Sequence, residues 1–346
     1  PVWTGSATFS MASGPSGAAV TLTVGAAETF TWIYQATSAG TSSFSAVAYA
    51  KDSGIGDIYS SPVLSTPVAV QTSAALMSTL YSFPNSINTG TDFTVIMSVT
   101  NTGGATINSL TPRFGFTPVS GVVTMLTEPS VVATFAGGAY QAFTWTFNAA
   151  APGTIAFTGR AEGIDVNSGS NVASAQTSAP AVVIQAPAAL VSTIETYPPA
   201  TLSRSQVITV ILNVTNTGGA SANGVTPTAV LINNNGTGAA YELLTGNTSA
   251  ITLNGGQSAS FTWTYSATSE GQLTFSSSAS GTDSNSAAAI ISALSGVTVN
   301  ITEPSANLVA TLDVFSPSAT DRAELNETIT AIMAITNTGL VSARAV

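Results

Sequence analysis

Three aspartates recur at a matched place in the chain. They are Asp52 in Ala50-Lys51-Asp52, Asp165 in Glu162-Gly163-Ile164-Asp165, and Asp283 in Ser280-Gly281-Thr282-Asp283. A recurring carboxylate could begin a calcium site, but calcium takes about 6–8 oxygens, usually from several carboxylates. Of the three, only Asp165 has a neighbouring acid in sequence, Glu162. The expectation is an aspartate that bonds the backbone of a strand-end turn, with no cofactor. Asp52, Asp165 and Asp283 are the candidates if a metal binds at all. Asn-x-Ser/Thr sequons stand at Asn213, Asn235, Asn247, Asn300 and Asn326. These are glycan acceptors on an exported chain. A chain this rich in Ser and Thr yields about as many by chance, and none recurs at one place in every repeat.

Other chemistry is excluded by what the chain lacks. It has no His and no Cys. That removes the commonest general base, the commonest zinc ligands, thiol nucleophiles and disulfides. Serines are abundant, yet none has the base of a hydrolase triad, and no carboxylate pair recurs as a glycosidase requires. Gly103-Gly104 and Gly218-Gly219 lack the lysine and helix of a phosphate loop. No catalytic residue is assigned, and the chain is read as a non-enzyme. Lys and Arg total 6 against 16 Asp and Glu, a net charge of −10. So few cations cannot neutralise a nucleic-acid backbone. No apolar run is long enough to span a membrane as a helix. Charged residues are 6% of the chain, against about 25% in ordinary soluble proteins, so the surface is largely hydroxyl and amide.

The elements that hold these residues are repeats. Phe-Thr-Trp occurs at Phe30–Trp32, Phe143–Trp145 and Phe261–Trp263. Each is followed by a glycine (Gly40, Gly153, Gly271), a phenylalanine (Phe44, Phe157, Phe275) and the recurring aspartate. Thr-Asn-Thr-Gly also recurs, with its asparagine at Asn101, Asn216 and Asn337. A third motif runs Leu76–Pro84, Leu190–Pro198 and Leu308–Pro317. The period is about 114 to 118 residues. Two repeats are whole, 75–188 and 189–306. Residues 1–74 carry the back of a repeat and 307–346 the front.

Within a repeat the apolar period is two, the signature of a half-buried strand. Phe93, Val95, Met97 and Val99 alternate, as do Ile208, Val210, Leu212 and Val214, and Ile329, Ala331, Met333 and Ile335. The aromatic triplets Phe143/Trp145/Phe147, Phe261/Trp263/Tyr265 and Phe30/Trp32/Tyr34 alternate too. Further strands are expected near 76–83, 109–118, 155–162 and 180–186. About seven short strands per repeat, separated by Gly, Asn, Pro and Ser, predict an all-β chain of tandem antiparallel β-sandwiches. The three tryptophans are expected between the sheets. Asn101, Asn216 and Asn337 are expected in turns, where Asn and Gly suit left-handed backbone.

A strand ending in Asn-Thr-Gly, then Phe-Thr-Trp-x-[Tyr/Phe], a glycine, and a strand ending in Asp resembles the immunoglobulin-like, CARDB-like tandem repeats of bacterial and archaeal cell-surface proteins. The resemblance spans nearly the whole chain. It implies an extracellular or cell-surface stalk, filament or adhesin, and it transfers no catalytic residue.

The leading expectation is a structural segment of an extracellular filament or surface fibre whose partners are copies of itself, head to tail. In that arrangement 307–346 of one copy is completed by 1–74 of the next, with Pro1 and Val346 at the junction. The join is either covalent continuation or strand addition between separate copies. The alternatives are an adhesin or carbohydrate-binding module that recognises the cell surface or its glycans, and an accessory segment of an extracellular enzyme. For an adhesin the candidate aromatics are Tyr241, in the long loop 231–248, and Trp3, which has no evident counterpart in the other repeats.

Overall fold

The computed structural model describes residues 1–15, 20–52, 54–315, 322–339 and 341–344. Val346, one of the two expected junction residues, lies outside them, as does Pro317. Among the described residues the regular structure is all β-strand. The chain divides into two compact units, Pro1–Asn85 with Gly90–Ile184, and Ser86–Thr89 with Gln185–Val346.

The first unit holds a complete sandwich. One sheet runs Leu76–Phe83, Asp92–Asn101, Tyr140–Ala151, Val122–Thr127, all antiparallel neighbours. The facing sheet has Gly153–Asp165 between Val182–Gln185 and Ile107–Pro118. In chain order this is A–B–E–D against G–F–C, the strand order of an immunoglobulin constant-type domain. The core follows from the period-two pattern. Phe93, Val95, Met97 and Val99 are buried, and Val95 stands opposite Trp145, which is 1% exposed. Phe114 stacks on Trp145 at 4.2 Å between ring centres, and Phe147 meets Phe157 at 5.5 Å.

Gly153 recurs in the sequence for a steric reason. Its φ is 144°, and a Cβ there would run into the backbone of Gly121. Gly40 and Gly271 have the same kind of φ, 148° and 127°. L side chains rarely adopt that conformation.

The second unit holds a sandwich of the same plan. Leu190–Tyr197, Val207–Asn216, Ser258–Ser269 and Ala240–Gly246 form one sheet. Gly271–Ser277 and Ala279–Asp283 run between Ser295–Thr302 with Ala289–Ile291 on one side and Ala222–Pro227 with Leu231–Asn233 on the other. Val210 is opposite Trp263, which is 5% exposed. The expected long loop 231–248 is corrected here. It contains two strands, and Tyr241 lies in the second, paired with Ala267.

The ends of the chain differ from the whole repeats. Residues 1–74 form Val2–Gly5, Gly40–Ala46, Val63–Leu64 and Val68–Val70 as one sheet, with the hairpins Thr8–Ser13/Ile33–Ser38 and Tyr49–Asp52/Gly56–Tyr59 beside it. Residues 307–339 form a single hairpin of Leu308–Phe315 with Thr330–Asn337. The burial expected for Trp32 does not hold within the chain. Trp32 is half-exposed and lies outside any strand, and among the described residues no counterpart of Asp92–Asn101 pairs beside it.

Candidate functional site: polar knots

The recurring aspartate is a backbone clamp. Asp165 Oδ1 accepts the N–H groups of Asn167 (2.8 Å) and Ser168 (3.0 Å), closing the turn after its strand. Its Oδ2 accepts the N–H of Ala74 at 2.7 Å, just ahead of the strand Leu76–Phe83. These bonds, the one from Ala74 foremost, hold its carboxyl below the usual range. Asp283 repeats the design in the second unit. Oδ2 accepts from Ala188 N at 2.6 Å, and Oδ1 from Asn285 N, Ser286 N and Asn88 Nδ2, each at 2.9 Å. Burial pushes the Asp283 carboxyl up, but its donors outweigh burial and bring it down to about 2. Asp52 closes its own turn through Gly54 N (2.6 Å) and Ile55 N (3.3 Å). Among the described residues no donor reaches its Oδ2.

As metal candidates these aspartates lack company. Among the described residues no group of three or more His, Cys, Asp or Glu could hold an ion. Glu162, the one acid near Asp165 in sequence, is engaged by Arg113 at 2.7 Å and by Arg160. The hydrogen bond from Arg113 is the main cause of its lowered carboxyl pKa.

Asn101, Asn216 and Asn337, expected in turns, are instead the last residues of their strands, and none of them has a positive φ. Asn216 is fully buried. Its Nδ2 donates to the carbonyls of Ala220 (2.8 Å) and Leu253 (3.0 Å), and its Oδ1 accepts from Ala189 N and Gly218 N, both at 3.1 Å. Asn101 makes the equivalent set with Ala105, Phe135, Ala75 and Gly103, and its Nδ2 also donates to the carbonyl of Ala136. One amide thus ties the first residue of the repeat, the end of its own strand, and the turn before the Trp strand. Asn337 has part of this set. It donates to Val341 O and accepts from Asn307 N and Gly339 N. The sequence marks the end of the strand, but nothing in its spacing reveals the cross-links.

The sequons are distributed differently from one another. Asn235, Asn247 and Asn326 are exposed and lie outside strands, with Asn235 and Asn326 at positive φ, 51° and 79°. Asn300 is exposed within a strand. Asn213 is half-buried, with both ends of its amide bonded to Glu195 and Ser260. The adhesin aromatics do not form a platform. Tyr241 packs edge-on against Tyr265 at 5.7 Å. Trp3 does have a counterpart. It pairs with Phe44 as Phe116 pairs with Phe157 and Ile232 with Phe275, so it occupies a repeat position. It also sits in an aromatic cluster with Phe9, Tyr34 and Phe44.

No family model matches the chain, so the likeness to CARDB-like domains stands on the motif residues alone. No curated protein matches it either. Among solved structures it is similar to red sea bream transglutaminase, at 12% identity and TM-score 0.23, covering 68% of this chain and 32% of the other. It is similar to the Yersinia pseudotuberculosis adhesin InvE, at 17% identity and TM-score 0.24, covering 64% and 58%. It is similar to the D00–D0 domain of intimin, at 16% identity and TM-score 0.27, covering 64% and 99%. The chain spans about a third of the transglutaminase and under two thirds of InvE. Superpositions this loose carry no functional assignment. The chain's own strand order defines its class, a tandem array of immunoglobulin-like β-sandwiches.

Proposed function

We propose that this chain is a structural repeat segment of an extracellular filament or surface fibre, joined to further copies head to tail, and that it is not an enzyme. One observation carries the reading. The apolar faces left open at the two ends are the faces that bury one another in the complete sandwiches. Met333 is 59% exposed where its counterparts Met97 and Leu212 are at 0%, and Phe30 is 48% exposed where Phe143 and Phe261 are at 1%. An unpaired sheet edge beside open apolar surface is a site for association. A contact between unlike ends propagates into open fibres rather than closing on itself as a two-fold contact does. The hydroxyl-rich, low-charge surface and the absence of His and Cys suit a spacer.

The test is negative-stain electron microscopy and size-exclusion chromatography of the purified chain over a range of concentrations. Thin unbranched fibres and concentration-dependent multimers are expected. Monomers at every concentration would overturn the reading.

A further inference from the structure

The two ends carry matching halves of one hydrogen-bond set. In the complete sandwiches, Asp92–Asn101 pairs with Tyr140–Ala151 so that Thr94 faces Thr146, Ser98 faces Ala142 and Thr100 faces Tyr140. Val207–Asn216 pairs with Ser258–Ser269 in the same register, with Thr209 facing Thr264, Asn213 facing Ser260 and Thr215 facing Ser258. The hairpin of Leu308–Phe315 with Thr330–Asn337 keeps the register of Leu190–Tyr197 with Val207–Asn216, from Leu308 opposite Asn337 to Phe315 opposite Thr330. Among the described residues no strand pairs with its outer edge.

At the other end, the Trp strand begins at Ile33. Residues 27–32 are not strand, although their counterparts from Tyr140 and from Ser258 onward are. In the first complete sandwich Tyr140–Trp145 is laddered to Asp92–Asn101, and in the second Ser258–Trp263 is laddered to Val207–Asn216, with Trp263 also opposite Gly246. Among the described residues, 27–32 have no counterpart of Asp92–Asn101 beside them.

The fixed points around this edge are already in place. The turn before the Trp strand is formed, with Ala26 N bonded to Thr23 O at 2.9 Å as Gln257 N is to Asn254 O. Gly25 has φ 79°, matching Gly256 at 79° and Gly138 at 75°. In the complete sandwiches that turn receives the asparagine, since Gln257 O accepts from Asn216 N and Gly256 N donates to Asn216 O. The clamp is also divided. Thr338 N bonds Asn307 O as Thr217 N bonds Ala189 O, which makes Ala306 the counterpart of Ala188. Ala306 N–H has no acceptor among the described residues, and Asp52 Oδ2 has no donor.

Resting on the head-to-tail reading, we infer that a second copy of this chain fills the edge in one register. Thr330–Thr336 of one copy pairs antiparallel with Ala27–Ile33 of the next, placing Ala331 opposite Trp32 and Ala334 opposite Thr29. Asn337 enters the 22–26 turn and donates its second amide hydrogen to the carbonyl of Leu22, the counterpart of Leu253. Asp52 accepts the N–H of Ala306. The joint is a whole sandwich assembled from two copies, and pairing turns 27–32 into strand.

The chain has no Cys, so paired substitutions report the register directly. Full-length protein carrying Ala334→Cys with Thr29→Cys is oxidised and run without reductant. A disulfide needs Cβ atoms about 3.5–4.5 Å apart, and a two-residue shift opens the pair to roughly 7–8 Å. A ladder of linked multimers is expected from this pair and none from Ala334→Cys with Thr31→Cys. A ladder from the shifted pair alone would overturn the register and leave head-to-tail joining intact. A linked monomer would show that the chain's own tail fills the edge, and it would overturn both readings. Multimers with no ladder from either pair would overturn the inference alone. The absence of multimers would overturn both. As a second measurement, Asp52→Ala should raise the concentration needed for multimers by about tenfold, the scale of a lost charge-assisted hydrogen bond. The unfolding midpoints of the complete sandwiches should not move, and an unchanged multimer concentration would remove Asp52 from the joint.

Discussion

Ala188 N–H lies 2.6 Å from Oδ2 of Asp283, although the two residues are 95 positions apart. One carboxylate thereby joins the entry of a repeat to the turn near its end. Replacing Asp283 by Ala leaves the N–H groups of Ala188, Asn285 and Ser286 without this acceptor. The second sandwich should lose on the order of 1–3 kcal/mol, read as the shift of its urea transition.

The same carboxylate gives an acid signature. Its pKa falls from 3.8 to about 2 on folding. A depressed folded value contributes stability above the unfolded pKa and loses it as pH falls through the folded one. Thermal melts of the wild type and Asp283→Asn should therefore differ most above pH 4 and converge as pH approaches about 2. A difference that stays constant across that window would contradict the clamp.

Chelator should leave the melting temperature unchanged, since the Asp165 and Asp283 oxygens already hold backbone donors. Anything that binds the native state alone raises its melting point. A fall on adding EDTA would turn these aspartates into ligands.

Trp145→Ala and Trp263→Ala should each destabilise their own sandwich by about 3–5 kcal/mol, the scale of a large core truncation. Trp32→Ala should leave those two transitions where they are, because Trp32 is half-exposed in the single chain. Urea unfolding followed by circular dichroism separates the cases.

Asn216→Ala should cost about 1–3 kcal/mol by leaving buried backbone groups unpaired. Asn216→Asp should cost more near neutral pH, because a charge then faces the carbonyls of Ala220 and Leu253. Its deficit should shrink as pH falls and the carboxyl protonates. Melting of both variants at pH 3 and pH 7 checks the sign.

The sandwich plan is legible in the sequence because apolar period two and recurring turn residues are local signals. Val95 and Trp145 read as core from their neighbours alone, and both are buried. The strand expectations near 109–118 and 155–162 lie inside Ile107–Pro118 and Gly153–Asp165, with the ends extended by pairing. Tyr241 was hidden in a stretch rich in Asn and Gly. Its strand exists because it pairs with Ser258–Ser269, and pairing across sequence leaves no local pattern.

The sequence by itself determined the repeat unit, the inward-facing residues and the absence of His and Cys chemistry, since composition and periodicity are properties of neighbouring residues. Tertiary structure alone decided what the recurring polar residues hold. Asp165 reaches Ala74 across 91 positions, and Asn101 reaches Ala136 across 35. It also decided that Trp32 stays half-exposed while Trp145 is buried, although both sit in the same three-residue motif. A side chain is buried by what packs against it. For Trp145 that is Asp92–Asn101, with Val95 directly opposite, and among the described residues no such strand pairs with Trp32.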